Sequence, residues 1–131
     1  MIGRIPAAHR SLAAMFEETR AAFRDEDEAE AAAAFGRLRE ELEAHFEKED
    51  RLYYPAIRAL RPDRAQAVGR GEMAHQQFVQ RFELIIGLIE ARKLDEAERS
   101  FEEFAEAFIH HEIREEDLIR SLEKELAEAR Q

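Results

Sequence analysis

Cysteine is absent from this chain of 131 residues. Its absence excludes disulfides, iron–sulfur clusters and thiolate chemistry, and leaves any metal site to nitrogen and oxygen ligands. Proline and glycine are scarce, with three and five residues, so there is little material for loops. Long apolar runs are missing too. The longest block, Leu84 to Ile89, falls far short of the roughly 20 residues a membrane-spanning helix needs. Met1 to Ala8 hold no signal-peptide apolar core, so a cytoplasmic location is the expectation. Positive charge is outweighed, with 20 basic against 30 acidic residues and a formal net charge of −10. That balance argues against nucleic acid or an anionic membrane as the partner.

What remains is helix-forming. Alanine, glutamate, arginine and leucine dominate, and 45% of the residues are apolar. The length fits a single domain over 1–131 with a real core. Three pairs resemble capping boxes: Asp27 with Glu30, Asp63 with Gln66, and Asp95 with Glu98. They divide the chain into four helices, at about 5–24, 28–60, 64–91 and 96–129. Short connections make consecutive helices antiparallel, so the expected fold is an all-α, up-down-up-down four-helix bundle.

Each helix carries an apolar stripe with alternating steps of three and four. The first runs Ile5, His9, Leu12, Phe16, Thr19, Phe23, and the second Phe35, Leu38, Leu42, His45, Glu49, Leu52, Ala56, Ala59. The third runs Val68, Gly71, His75, Phe78, Phe82, Ile85, Ile89. The fourth runs Ala97, Phe101, Phe104, Phe108, His111, Glu115, Leu118, Leu122. Pro55 should kink or loosen the end of the second helix, having no backbone donor.

Four of the five histidines fall in these stripes, one per helix, and of the acidic residues only Glu49 and Glu115 do. Each of the two lies four residues after a stripe histidine, one turn along the same face. Counted from the turns, the histidines match in height to within roughly two helical turns. Unpaired charges in a core cost several kcal/mol each, and adjacent carboxylates repel. Two cations would resolve both problems, with the acids bridging and two imidazoles on each metal. A buried His–Glu hydrogen-bond network without metal is the competing structural reading. Zinc or manganese suits the same donors as iron.

Four segments carry a resemblance: AHRSL around His9, HFEKEDRLYYP from His45, AHQQF around His75, and HHEIREEDLI containing His111. Together they make the sequence similar to the hemerythrin-like, or HHE cation-binding, family over nearly its whole length. The resemblance implies two iron ions, bridged by two carboxylates and an oxo or hydroxo group. It also implies dioxygen or a related small oxidant as the partner, for binding, sensing or reaction. By position, His9 and His45 would hold one iron and His75 and His111 the other, with Glu49 and Glu115 bridging. Oxygen-carrying members have a second histidine four residues after the third-helix histidine, and here Val79 stands there. That departure favours iron sensing or chemistry on peroxide or nitric oxide over reversible carriage.

Candidates to replace the missing ligand are Tyr53, one turn after Glu49, and Glu72, one turn before His75. The bland alternatives are a core tyrosine and a solvated acid. His110 is off the stripe and is read as a neighbour of the site or a surface group. Leu84 and Leu88 lie nearly opposite the third-helix stripe, so the expected state is a monomer or a weak homodimer.

Overall fold

The computed structural model describes the backbone of residues 4–129 and the side chains of residues 11–129. In chain order come α1 (Arg4–Arg24), α2 (Glu28–Lys48), a π-helical turn (Glu49–Tyr53) and α3 (Tyr54–Leu60). A 3-10 turn (Pro62–Arg64), α4 (Ala65–Glu90) and α5 (Leu94–Ala129) follow. No strand occurs among the described residues, and α2, the π-helical turn and α3 run on as one helical stretch. The result is an all-helical bundle. α1 packs on α2 and α4 on α5, while α2–α4 and α1–α5 contacts close the body.

The stripes bury as their spacing dictates. In α4, Val68, Gly71, His75, Phe78, Phe82, Ile85 and Ile89 are all buried, as are the eight stripe residues of α5. Thr19, buried in the α1 stripe, satisfies its hydroxyl by donating to the Met15 carbonyl at 2.9 Å. The apolar interior has two parts. A large one contains nine phenylalanines packed ring on ring, including Phe16, Phe35, Phe82 and Phe101. A smaller one holds Tyr54, Ile57, Val68, Leu118 and Leu122. The polar stripe residues fall between them along α2, α4 and α5.

Only one of the three expected capping boxes places its acid as the cap. Asp27 accepts from the Glu30 amide at 3.0 Å and caps α2. Asp63 instead sits inside the 3-10 turn that Pro62 initiates, and its carboxylate is taken by Arg61 at 2.9 and 3.0 Å. Arg64 then occupies the cap position of α4 with no side-chain hydrogen bond. α5 begins one residue before Asp95, and the Lys93 carbonyl accepts the first helical bond, from Ala97. Asp95 serves that terminus through its charge.

The second helix deviates at Pro55. The missing proline amide and the ring's clash with the preceding turn cannot be accommodated in an α-helix. The chain responds by adding a residue to one turn, so that the Tyr54 amide reaches the Glu49 carbonyl five positions back. Everything beyond rotates by roughly 100° relative to an uninterrupted helix. Tyr54 and Ile57 are therefore fully buried, whereas Leu52 is 47% exposed and Ala59 is exposed. Of the expected inward positions, Leu52 and Ala59 thus face solvent, while Ala56 stays half-buried against the smaller apolar region.

α1 and α4 both end in Schellman turns. The Asp27 amide bonds Ala22 and the Glu26 amide bonds Phe23, while Lys93 bonds Leu88 and Arg92 bonds Ile89. Glu26 and Arg92 pay for these turns with φ values of 55° and 63°, where a side chain is strained by about 1–2 kcal/mol. Glu26→Gly and Arg92→Gly should each stabilise the protein, by about 0.5–1 kcal/mol after the entropy of glycine is counted. Urea unfolding of the single variants measures this, and a loss of stability in both would refute the strain.

Candidate metal centre

α2 delivers His45, the π-helical turn delivers Glu49, α4 delivers His75, and α5 delivers His111 and Glu115. Glu49, His75, His111 and Glu115 are each 4% exposed or less, and His45 is half-buried. The backbone at His9 is helical within α1, but its side chain lies outside the described residues.

Within this layer the ligand atoms converge. His75 Nε2 lies 2.9 Å from Glu49 Oε1, 3.0 Å from His111 Nε2 and 3.8 Å from Glu115 Oε2. His111 Nε2 is 2.7 Å from Glu115 Oε2, and His45 Nε2 is 2.6 Å from Glu49 Oε2. Two sets of four follow, each with one ligand atom per residue and all within 4.8 Å of one another. One is Glu49, His75, His111 and Glu115; the other is His45, Glu49, Glu112 and Glu115. The two carboxylates expected to bridge are the residues the sets share.

Four residues absent from the stripe reading take part. The exposed carboxylate of Asp50 accepts from His75 Nδ1 at 2.9 Å, which fixes the ring so that Nε2 faces the cluster. The His75 ring is stacked on Phe46, with centroids 4.3 Å apart, and on Tyr54 at 5.5 Å. Tyr54 donates its hydroxyl to Glu115 Oε2 at 3.1 Å. Glu112 places Oε1 3.8 Å from His45 Nε2. Asp50 and Glu112 each directly follow a stripe residue, so helical spacing assigned them to the flank. Only the approach of another helix brings them in.

The other candidates lie elsewhere. Tyr53 is half-buried with the Lys48 ammonium 5.8 Å from its ring centroid, and the place assigned to it by an unbroken helix is held by Tyr54. Glu72 is bound to Arg58 by two hydrogen bonds. His110 is exposed. Val79 is half-buried beside a groove that it lines with Phe46, Asp50 and His75.

Charge in the layer is finely set. Burial, then the neighbouring Glu115, push the Glu49 carboxyl up to about 7 against the pull of His45 and His75. For Glu115, burial also opposes ionisation, but hydrogen bonds with Glu49, His111 and His75 outweigh it and hold the carboxyl well below its ordinary range. Burial alone would lower both raised imidazoles. Glu112 and Glu49 nevertheless bring His45 up to about 10, and Glu115, Glu49 and Asp50 bring His75 up to about 10. Burial and the charges of Glu115 and Glu49 raise Tyr54, keeping it a phenol.

A cation fits these residues by an independent criterion. Glu115 Oε1 is enclosed and finds no hydrogen-bond donor, and Glu49 Oε1 lies near His75 without hydrogen-bond geometry. Buried acceptors left this way are costly, and a metal ion satisfies them. A model of the hemerythrin HHE cation-binding domain matches residues 1–122. The chain belongs to that family. No curated protein and no solved structure gives a significant match. As an HHE domain with this His/Glu cluster, the chain carries residues able to bind metal cations. No helix among the described residues is long and apolar enough to cross a membrane.

Two predictions follow from this packing. Ala ordinarily stabilises a helix over Gly by about 1 kcal/mol. At Gly71 a Cβ would meet the Tyr54 hydroxyl and come within 2.8 Å of its Cζ. Gly71→Ala should therefore destabilise the HHE domain, by about 1–3 kcal/mol, and break the Tyr54–Glu115 bond. Urea unfolding of Gly71→Ala and of Gly71→Ala/Tyr54→Phe tests this; a stabilised single variant would contradict the contact.

The second concerns chelator-treated protein. Folded His45 and His75 titrate near 10, while unfolded histidine titrates near about 6.5. The folded state thus holds the extra protons, and their contribution to stability is full below about pH 6.5 and lost as pH rises through 10. Glu49, raised from 4.5 to about 7, acts with the same sign in its lower window. Thermal melts should fall steadily from pH 6 to 10, by the equivalent of several kcal/mol, and a flat profile would exclude the paired imidazoliums.

Proposed function

We propose that the chain is a non-haem di-iron protein that binds or senses dioxygen or a related small oxidant inside the bundle. One observation carries the reading: two sets of four donors overlap in the two buried carboxylates Glu49 and Glu115. A mononuclear site needs no such sharing. The reading takes His75 and His111 as nitrogen donors to one iron and His45, with His9 of α1, as donors to the other. It also takes the four helical stretches as running up, down, up and down, which their short connections favour.

Iron bound here supplies redox electrons and coordination positions open to a small ligand. The chain's own residues do the rest. Glu49 and Glu115 hold the two sites at a fixed separation. Asp50, Phe46 and Tyr54 keep the His75 ring from turning. Phe46, Phe78 and Phe108 wall the layer with apolar surface, which favours small neutral molecules over larger polar ones. Zinc or manganese suits the same nitrogen and oxygen donors in a purified sample.

A second reading, an enzyme acting on peroxide or nitric oxide, draws on Val79. With no imidazole there, His75 is the nitrogen donor of α4 among the described residues, and it borders a groove with Asp50 and Val79. An iron-responsive regulatory module, monomeric or weakly dimeric, uses the same centre. Of the two leucines expected to form a dimer patch, Leu84 is 51% exposed, while Leu88 is half-buried and packs against the large apolar core.

Elemental analysis of protein expressed with iron should give about two irons per chain, and none in the Glu49→Ala/Glu115→Ala variant. A well-folded wild-type protein with no stoichiometric metal would overturn the reading. For iron-loaded protein, a spectrum that changes reversibly between anaerobic reduction and aeration supports binding. Turnover of peroxide or nitric oxide above free-iron controls, abolished in His75→Ala, supports the enzyme instead.

A further inference from the structure

The two halves of the centre differ in their surroundings. His75 and His111 are each 3% exposed, whereas the His45 side chain is 28% exposed and that of Glu112 is 17%. Glu112 also lines a cleft of about 430 Å³ between α1 and α5, together with Leu12, Phe16, Phe108, Ile109 and Ile113. Of the residues in the two donor sets, it alone lines that cleft.

Glu112 thus stands where a mostly apolar cleft meets the donor layer. Its Oε1 atom is enclosed and faces His45. It stands within 4.8 Å of the ligand atoms of His45, Glu49 and Glu115. Independently, Glu115, 4% exposed, directs a donor-free Oε1 within this layer. We propose that Glu112 is a protein ligand of the cation held by His45, and the donor through which that half of the centre meets the α1–α5 cleft. This rests on the two-cation reading above and assigns a residue outside the stripe set. The His75 half is then rich in imidazole and enclosed, and the His45 half rich in carboxylate and adjacent to the cleft. The harder donor set favours the more highly charged or more oxygen-seeking cation at the His45 half.

The test compares iron content and chelator resistance of wild type, Glu112→Gln, Glu112→Asp and Glu116→Gln, with circular dichroism to confirm folding. Glu116 lines the same cleft but belongs to neither donor set. Wild type and Glu116→Gln should keep about two irons. Glu112→Gln should keep about one, or release one at a chelator concentration at least about tenfold lower. Glu112→Asp, which preserves the carboxylate, should recover most of the loss even if the amide variant is poorly folded. A folded Glu112→Gln protein with the iron content and chelator profile of wild type would overturn the role of Glu112 alone. Wild type without stoichiometric metal would overturn the two-cation reading and this role with it.

Discussion

Glu49 and Glu115 set two carboxylates against each other in an interior that offers little water, and the surrounding structure answers that repulsion. Like charges in low dielectric cannot both persist without compensation. Three imidazoles and a phenol supply it within the protein. The imidazoles, once deprotonated, and the two carboxylates are what a metal cation requires. The layer is thus stable as a hydrogen-bonded network and predisposed to exchange protons for metal.

The two apolar regions on either side make this polar layer tolerable. Phenylalanines from every long helix pack against one another on one side, and Tyr54, Ile57 and Val68 close the other. Their burial supplies the non-directional part of the stability. The polar layer fixes which faces meet, because any rotation of α2, α4 or α5 would strand a charged group in hydrocarbon. Orientation is reinforced locally at His75, gripped by Asp50 on one nitrogen and by aromatic rings on its faces.

Most of this was legible in the sequence wherever helical periodicity holds. The α4 and α5 stripes translate residue for residue into buried positions, and the two His-x-x-x-Glu pairs meet in one layer. Legibility fails for physical reasons at particular residues. Tyr54 replaces Tyr53 because a proline changes the local helical repeat, which spacing rules assume constant. Asp63 is claimed by Arg61, a nearby competitor that a capping pattern does not register. Asp50 and Glu112 reach the centre only because neighbouring helices come close, a property of pairs of helices rather than of one. His9 is legible as a stripe residue, but its side chain lies outside the described residues.

The added residue in the turn at Glu49–Tyr53 also sets how this segment can vary. Arg51 and Leu52 face solvent, so a change in their identity is of little account. A change in their number is another matter. Adding one more would turn everything beyond by roughly a further 100° and swing Tyr54 and Ile57 out of the interior together, detaching the phenol from Glu115, whereas removing one would return an α repeat that meets the Pro55 ring. The stretch is permissive to substitution and intolerant of insertion, a contrast that a paired substitution and insertion scan over 51–52 resolves by stability alone. Its length, more than its chemistry, holds Tyr54 and Ile57 in place.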